Sequence, residues 1–425
     1  MPSNPTHTTR RRFLASFLSL AAAPAEGFSL FGKTKAQNLG KVYEYLQDVD
    51  LRIKETGSQR ITIKNIIFSG EKFDGEWGNF DFVGCEFSSS FFIQLKWLVK
   101  CTFTNCHFRG IFNFGNARNV KFTRCTVVVD EIGGITFSSR STGLAFEGCT
   151  FSNSNYDLNH EGGVLCVGEI SFIDCKAEGF ALGGDKKLAL RRCTTRSARL
   201  ATAYSGEYSD KSLMPYSDFL LEDCDFTGGV RTTNLKLNNF TMRNCEVGIF
   251  ETARSVVRGN MLIENIKKGH FDLSRTDFQG KLTVKDCSFF RLYDGHSFWC
   301  PSIVIPHVLL ENVVCKSYPA NISGATDNTT EKVWSVAKNK STIIRNCDIS
   351  HLHLDWMQTE HLRIENCEFD TLLIRNGRIG KLEIIDCSLK KLDVSNTQVK
   401  EQNIRIPKGC DTITTSSNIK PLPRE

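Results

Sequence analysis

Two acidic residues, Glu251 and Asp272, are spaced so that they could act together as an acid and a base. They are 21 residues apart and occupy the same position in two consecutive copies of a repeat. Adjacent copies would place their carboxylates roughly 5 Å apart, near the separation used by retaining glycosidases. Tyr293 follows at the same position, and His353 and Asp355 lie further along the same predicted face. Acids also occur on any solvated face, so catalysis and simple solvation are both open interpretations.

The repeat behind this spacing is an apolar-x-apolar pair, followed by two residues and then a cysteine. Phe80-Asp-Phe82-Val-Gly-Cys85 and Leu362-Arg-Ile364-Glu-Asn-Cys367 are two copies. With Ile266 and Val313 counted in the cysteine position, fourteen copies occur between Phe80 and Cys387. Self-similarity of this length predicts a solenoid.

The finer spacing predicts which solenoid forms. Measured from the cysteine, apolar or small residues recur at offsets 0/2, 5/7, 10/12 and 15/17, as in Cys347, Ile349, Leu352, Leu354, Met357, Thr359, Leu362 and Ile364. Residues two apart are the inward pair of a short strand, whereas helical spacing fails on these copies. We therefore predict an all-β fold, a right-handed parallel β-helix of about 14–17 coils with a spacing of about 4.8 Å.

The residue before the cysteine position marks a recurrent corner. It is Asn, Asp or Gly in every copy except those with Arg124 and Arg192. These residue types tolerate left-handed backbone or cap their own turn. A stacked Asn/Asp ladder at this corner would also satisfy backbone groups between coils.

The five-residue spacing resembles that of the pentapeptide-repeat family, which forms a quadrilateral β-helix. The resemblance is clearest over residues 261–404 and in Cys101-Thr-Phe103-Thr-Asn-Cys106-His-Phe108, although the family's Ala-(Asp/Asn)-Leu pattern is mostly absent. Repeats of 24, 26, 31 and 34 residues are more similar to the irregular β-helices of pectate-lyase-like proteins. The catalytic motifs of pectate lyases and polygalacturonases are missing, so the resemblance implies the fold and leaves its subtype open.

The amino terminus resembles a twin-arginine signal peptide. Arg10 and Arg11 lie in Thr9-Arg10-Arg11-Arg12-Phe13-Leu14, ahead of an apolar run and the small residues Ala23-Pro24-Ala25. The run is too short to span a bilayer, and we predict no stable membrane span elsewhere. The resemblance implies the twin-arginine export machinery as a partner and a periplasmic or secreted location. A disordered basic tail is the alternative.

Charge and cysteine usage narrow the possible partners. Removing residues 1–25 lowers the formal net charge from +6 to +3, so nucleic acid is not an expected partner.

Twelve of the seventeen cysteines share one inward position. Stacked side chains there are about 4.8 Å apart, which exceeds the distance of roughly 3.8 Å between Cβ atoms that a disulfide needs. We predict buried free thiols there and leave the off-ladder Cys166, Cys300, Cys315 and Cys410 open. No zinc-binding spacing or cofactor motif is present, so we predict neither a metal nor a cofactor.

The chain divides into four segments. Residues 1–25 are the predicted signal, 26–60 a linker with a capping helix near Leu39 to Val49, 61–406 the β-helix and 407–425 a loose tail. Long repeats predict loops at 152–169, 200–217 and 316–341. Side chains there and nearby are candidate substrate-binding groups that would either stack on sugars or cover coil edges: Tyr204, Tyr208, Tyr293, His296, Tyr318 and Trp334.

Two functions are compatible with these features. The first is an exported, non-catalytic β-helix that binds or organises an extended polymer, such as a cell-envelope or extracellular polysaccharide. The second is a polysaccharide lyase, hydrolase or epimerase that acts in a groove walled by loops, with Glu251, Asp272, His353 and Asp355 as candidate catalytic residues. The first is favoured because no complete acid/base motif was found.

Overall fold

The chain is a parallel β-solenoid. The computed structural model describes residues 29–30, 60–68, 72–87, 92–110, 112–129, 135–153, 165–183, 186–201, 216–233, 236–253, 255–267, 269–273, 276–289, 298–299, 305–316, 320–321 and 339–423. Every element assigned in these residues is a β-strand, and strands of successive coils pair in parallel. The all-β prediction is therefore confirmed. The predicted signal peptide and capping helix lie outside the described residues.

The chain forms two compact units, residues 1–182 and 183–425, and each has strands before and after the cysteine corner. In the first unit the strands before the corner, here called sheet A, are Ser29–Leu30, Ile61–Lys64, Lys72–Gly78, Phe80–Val83, Phe92–Val99, Thr102–Thr104, Phe112–Asn113, Asn116–Thr123, Ile135–Glu147 and Leu165–Ile173. The strands after it, sheet B, are Ile67–Phe68, Glu86–Phe87, His107–Arg109, Thr126–Val129, Thr150–Asn153 and Lys176–Gly183.

The second unit has the same arrangement. Its sheet A strands are Lys187–Arg191, Ser217–Glu222, Lys236–Arg243, Ser255–Val257, Asn260–Glu264, Thr276–Phe278, Lys281–Lys285, His307–Glu311, Asn339–Arg345, Gln358–Glu365, Arg378–Ile385, Gln398–Ile406 and Leu422–Pro423. Its sheet B strands are Thr194–Ala201, Asp225–Thr233, Glu246–Val247, Ile249–Ala253, His270–Asp272, Phe298–Trp299, Val314–Cys315, Ala320–Asn321, Asp348–Ile349, His351–His353, Glu368–Leu373, Ser388–Asp393 and Asp411–Ile413.

The corner residue before the cysteine position is left-handed in all fourteen predicted copies, with φ between 51° and 63°, and also at Asn65. Four of the fifteen coils that these corners mark contain long undescribed segments, so about eleven are described over nearly their whole length. Side chains link the corners: Asn244 donates to Asp223, and Asn265 donates to Asn244, both at 2.9 Å. The predicted amide ladder is therefore present.

The core repeats one side chain per coil. In the first unit Phe82, Phe103, Phe122, Phe146 and Phe172 stack with centroid distances of 4.8, 4.7, 4.5 and 4.9 Å. These distances match the spacing expected between parallel strands. All twelve cysteines of the ladder are buried thiols that form no disulfide, as predicted, and the same holds for Cys101 and Cys315.

An alternating charge ladder runs along the outer face of sheet A in the second unit. Two residues before each cysteine position, strand register aligns Arg191, Glu222, Arg243, Glu264, Lys285, Glu311, Arg345 and Glu365. Neighbours form ion pairs, including Arg191 with Glu222 at 2.9 Å and Lys285 with Glu264 at 2.8 Å. A slip by one coil would oppose like charges, so the ladder favours the observed register.

Residues 411–423 continue along the last coil. Asp411–Ile413 pairs in parallel with Lys391–Asp393, and Ile419 is buried. The Asn418 amide accepts from the Val399 N–H at 2.8 Å and donates to the Val399 carbonyl at 2.6 Å. These contacts cover backbone groups that an exposed edge strand would leave unpaired.

Candidate ligand-binding site

Strand register in the second unit places one residue from each coil in a single column of sheet B. From one coil to the next the column contains Arg231, Glu251, Asp272, Trp299, Asn321, His353, Leu373 and Asp393. Glu251, Asp272 and His353 face outward and are partly exposed, because the adjacent Phe250, Phe271 and Leu352 point into the core. We call this column the acidic column.

Glu251 and Asp272 are direct register partners on adjacent coils. The predicted juxtaposition of these two positions is therefore present in the backbone. Arg231 precedes Glu251 in the acidic column, and its guanidinium Nε lies 3.1 Å from Glu251 Oε2. One member of the acidic pair is thus engaged by a cation of the neighbouring coil.

Buried threonines brace the strands that carry the two acids. Thr232 donates its hydroxyl to the Glu251 carbonyl at 3.2 Å, and Thr252 donates to the Asp272 carbonyl at 3.3 Å. The Thr252 and Thr276 hydroxyl oxygens are 2.5 Å apart. Threonine here replaces the leucine or valine found at the same inward position in later coils, such as Leu354 and Val394. Sequence analysis missed this change, although the offset pattern contains it.

A glycine corner precedes the two acidic strands. A Cβ on Gly248 would lie 2.6 Å from the Thr227 carbonyl oxygen, and one on Gly269 would lie 2.9 Å from the Val247 carbonyl oxygen. Successive coils approach too closely here for any side chain.

His270 lies two residues before Asp272 and is 5% exposed. Its Nδ1 atom is buried and has no hydrogen-bond partner. Buried polar atoms are nearly always paired, so an unpaired imidazole nitrogen beside two carboxylate positions needs an explanation. Sequence analysis did not identify His270.

His353 and Asp355 belong to the same face but to a different part of it. Three coil steps separate His353 from Asp272, about 14 Å at roughly 4.8 Å per step. Arg375 donates from Nε and Nη2 to the Asp355 carboxylate at 2.9 and 2.6 Å. Burial lowers the pKa of His353 below its ordinary value. The structure thus does not bring all four candidate catalytic residues together.

The remaining predicted residues lie outside the described part of the chain. They are Tyr204, Tyr208, Tyr293, His296, Tyr318 and Trp334, together with Arg10, Arg11 and the thiols of Cys166 and Cys300. Off-ladder Cys410 is partly exposed and unbridged.

A second polar cluster on sheet A was also missed. Glu383 has a side chain that is 9% exposed, and it lies 2.7 Å from His361 Nε2 and 3.2 Å from Lys381 Nζ. Burial opposes its ionisation, but the contacts with His361 and Lys381 outweigh burial, so the pKa of Glu383 lies below its ordinary value. The cluster is a local ion-pair network on a sheet surface.

The described segments contain neither a cluster of metal-ligating side chains nor a candidate membrane-spanning helix. No group of three or more His, Cys, Asp or Glu side chains there is arranged to hold a metal ion. Nor does that part of the chain contain a helix with the length and apolar character to cross a membrane.

Comparison with protein-family models, curated proteins and solved structures found no match to this chain. The resemblance to pentapeptide-repeat and pectate-lyase-like proteins therefore rests on the sequence pattern alone.

Proposed function

We propose that this chain is an exported, non-catalytic β-solenoid that binds an extended polymer of the cell envelope or extracellular space, specifically a polysaccharide. The observation that carries the proposal is the acidic column, which offers one position per coil from Arg231 to Asp393. A chain-like ligand laid along the coils meets groups at a constant interval of about 4.8 Å. Export rests on the twin-arginine pattern at Arg10 and Arg11.

Ion pairing of two candidate catalytic carboxylates argues against catalysis. Glu251 pairs with Arg231, and Asp355 pairs with Arg375. Carboxylates engaged in this way hold neighbouring coils together and are less available as a nucleophile or a proton donor. The enzymatic alternative is favoured by one observation, the direct register of Glu251 with Asp272.

A polysaccharide panel separates the two functions. The purified chain is passed over immobilised neutral and acidic polysaccharides, and both retention and release of reducing or unsaturated ends are scored. We expect retention without release. Release that is lost in Glu251→Gln or Asp272→Asn would establish the enzyme instead. If the chain shows no retention and no release on any polysaccharide, both functions are refuted.

A further inference from the structure

We propose that Trp356 is a stacking platform for one sugar ring of the bound polymer, and that Gln358 and Arg378 donate hydrogen bonds to the hydroxyl groups of that sugar. This inference rests on the proposed polysaccharide binding. It names a contact residue outside the acidic column and the chemical feature that this residue recognises, which is the apolar C–H face of a sugar.

Trp356 has a backbone conformation that its residue type rarely adopts. Its φ is 60°, which lies in the left-handed region. Every other left-handed residue in the described segments is Gly, Asn, Asp, Ser, Arg or Lys. A left-handed backbone is a genuine outlier for a bulky side chain and costs free energy, and residues that persist in such a conformation cluster at functional sites.

The next two coils show which residue this corner ordinarily takes. The Trp356 backbone N–H donates to the Arg375 carbonyl at 2.7 Å, and the corresponding bonds of Asn376 and Asn396 place the three residues at the same corner of consecutive coils. Asn396 Nδ2 donates to Asn376 Oδ1 at 3.1 Å, so the corner continues as an amide ladder beyond Trp356. An asparagine at position 356 would suit the left-handed backbone and could extend this ladder. The tryptophan departs from both features.

Packing in the core does not explain the tryptophan. Trp356 is 47% exposed, whereas Trp77, which packs inside the first unit, is 0% exposed. Ile67 and Val314 are the other exposed large apolar residues in the described segments, and both are aliphatic. Trp356 therefore presents an accessible aromatic surface at a corner of the coil.

The surroundings of Trp356 favour a sugar over other ligands. Gln358 and its register partner Arg378 face outward beside the corner, and on its other side Asp355 pairs with Arg375. A protein partner would need a larger contiguous apolar patch, and a cationic ligand would meet the charge of Arg378. A sugar can stack its C–H face on the indole while its hydroxyl oxygens accept hydrogen bonds from the amide and guanidinium N–H groups.

The test compares the unaltered full chain with Trp356→Asn, which carries the asparagine of the next two coils. Affinities are measured for soluble β-glucan, galactomannan, xylan and polygalacturonate. We expect the unaltered chain to bind at least one of them, and Trp356→Asn should lower that affinity about tenfold while its stability to urea is equal or greater. Trp356→Phe keeps an aromatic ring and should lose no more than about threefold. Ile67→Thr removes a similarly exposed apolar residue of the first unit and should leave the affinity unchanged.

Hydroxyl-radical oxidation of the unaltered chain, read by peptide mass spectrometry, keeps the proposal testable if Trp356→Asn fails to fold. A bound polymer should lower oxidation of Trp356 severalfold. Unchanged affinity in folded Trp356→Asn, or equal oxidation of Trp356 with and without a retained polymer, would overturn the stacking platform while leaving polymer binding intact. A chain that retains no polysaccharide would refute the proposed function and the stacking platform together.

Discussion

Arg375 donates two side-chain hydrogen bonds to the carboxylate of Asp355 across adjacent coils, at 2.9 and 2.6 Å. The Arg375 backbone N–H adds a third at 3.3 Å. The Asp355 side chain is 14% exposed and that of Arg375 is 38% exposed, so the carboxylate is largely withdrawn from water while the guanidinium is partly exposed. Asp355, which the sequence spacing made a candidate catalytic residue, therefore stabilises the stacking of adjacent coils.

This geometry predicts a measurable loss of stability in Asp355→Asn. We expect a decrease of about 1–3 kcal/mol in the free energy of unfolding by urea, because the partly buried guanidinium loses a charged acceptor. Asp370→Asn is the matched control, since its partner Lys390 has an 81% exposed side chain. The control should change stability by less than about 1 kcal/mol. Equal effects of the two substitutions would contradict the structural role of Asp355.

Glu383 predicts a dependence of stability on pH. Its folded-state pKa lies below its ordinary value, so its contribution is complete above the unfolded-state pKa and is lost as pH falls through the folded-state pKa. Glu383→Gln should lower stability by about 1–3 kcal/mol at pH 7, and the difference from the unaltered chain should shrink below about pH 4.5. Urea unfolding of both proteins at several pH values measures this difference in stability. Glu360→Gln, at an exposed position, is the control. A stability difference between Glu383→Gln and the unaltered chain that does not change with pH would argue against the ion-pair network.

The cysteine ladder predicts slow thiol chemistry in the folded chain. Burial raises the pKa of the ladder thiol Cys287, and of the off-ladder thiol Cys101, to about 12, so both remain protonated at pH 8. Maleimide labelling followed by peptide mass spectrometry should modify partly exposed Cys410 first and the twelve ladder cysteines only after denaturation. Rapid labelling of most ladder thiols without denaturant would be incompatible with their burial.

The aromatic stack of the first unit predicts a large cavity effect. Phe122 is fully buried between Phe103 and Phe146, with centroid distances of 4.7 and 4.5 Å. Phe122→Ala should cost about 3–5 kcal/mol of unfolding free energy, because neighbouring coils cannot close the cavity. Phe122→Leu should cost less than about 2 kcal/mol, since leucine fills the equivalent position, three residues before the cysteine, in a later coil at Leu221. Similar losses for both variants would indicate that the coils relax around Phe122.

The sequence by itself determined the repeating part of this protein. Inward pairs such as Leu362 and Ile364, and corners such as Asn366, are set by local backbone geometry, and every coil obeys the same steric rules. Fourteen copies of the repeat support the same interpretation. The β-solenoid, its left-handed corners and its buried thiols could therefore be predicted from the sequence. The alternating charge ladder was present in the same offsets but was not identified.

Only the tertiary structure decided what the outward residues do. Pairing of Asp355 with Arg375 and of Glu251 with Arg231 depends on side chains that approach from coils about 20 residues away. His270 is buried whereas His351 is partly exposed, although both occupy the same offset from their cysteine position. An outward side chain's environment depends on contacts outside its own repeat, and a periodic pattern carries no information about such contacts.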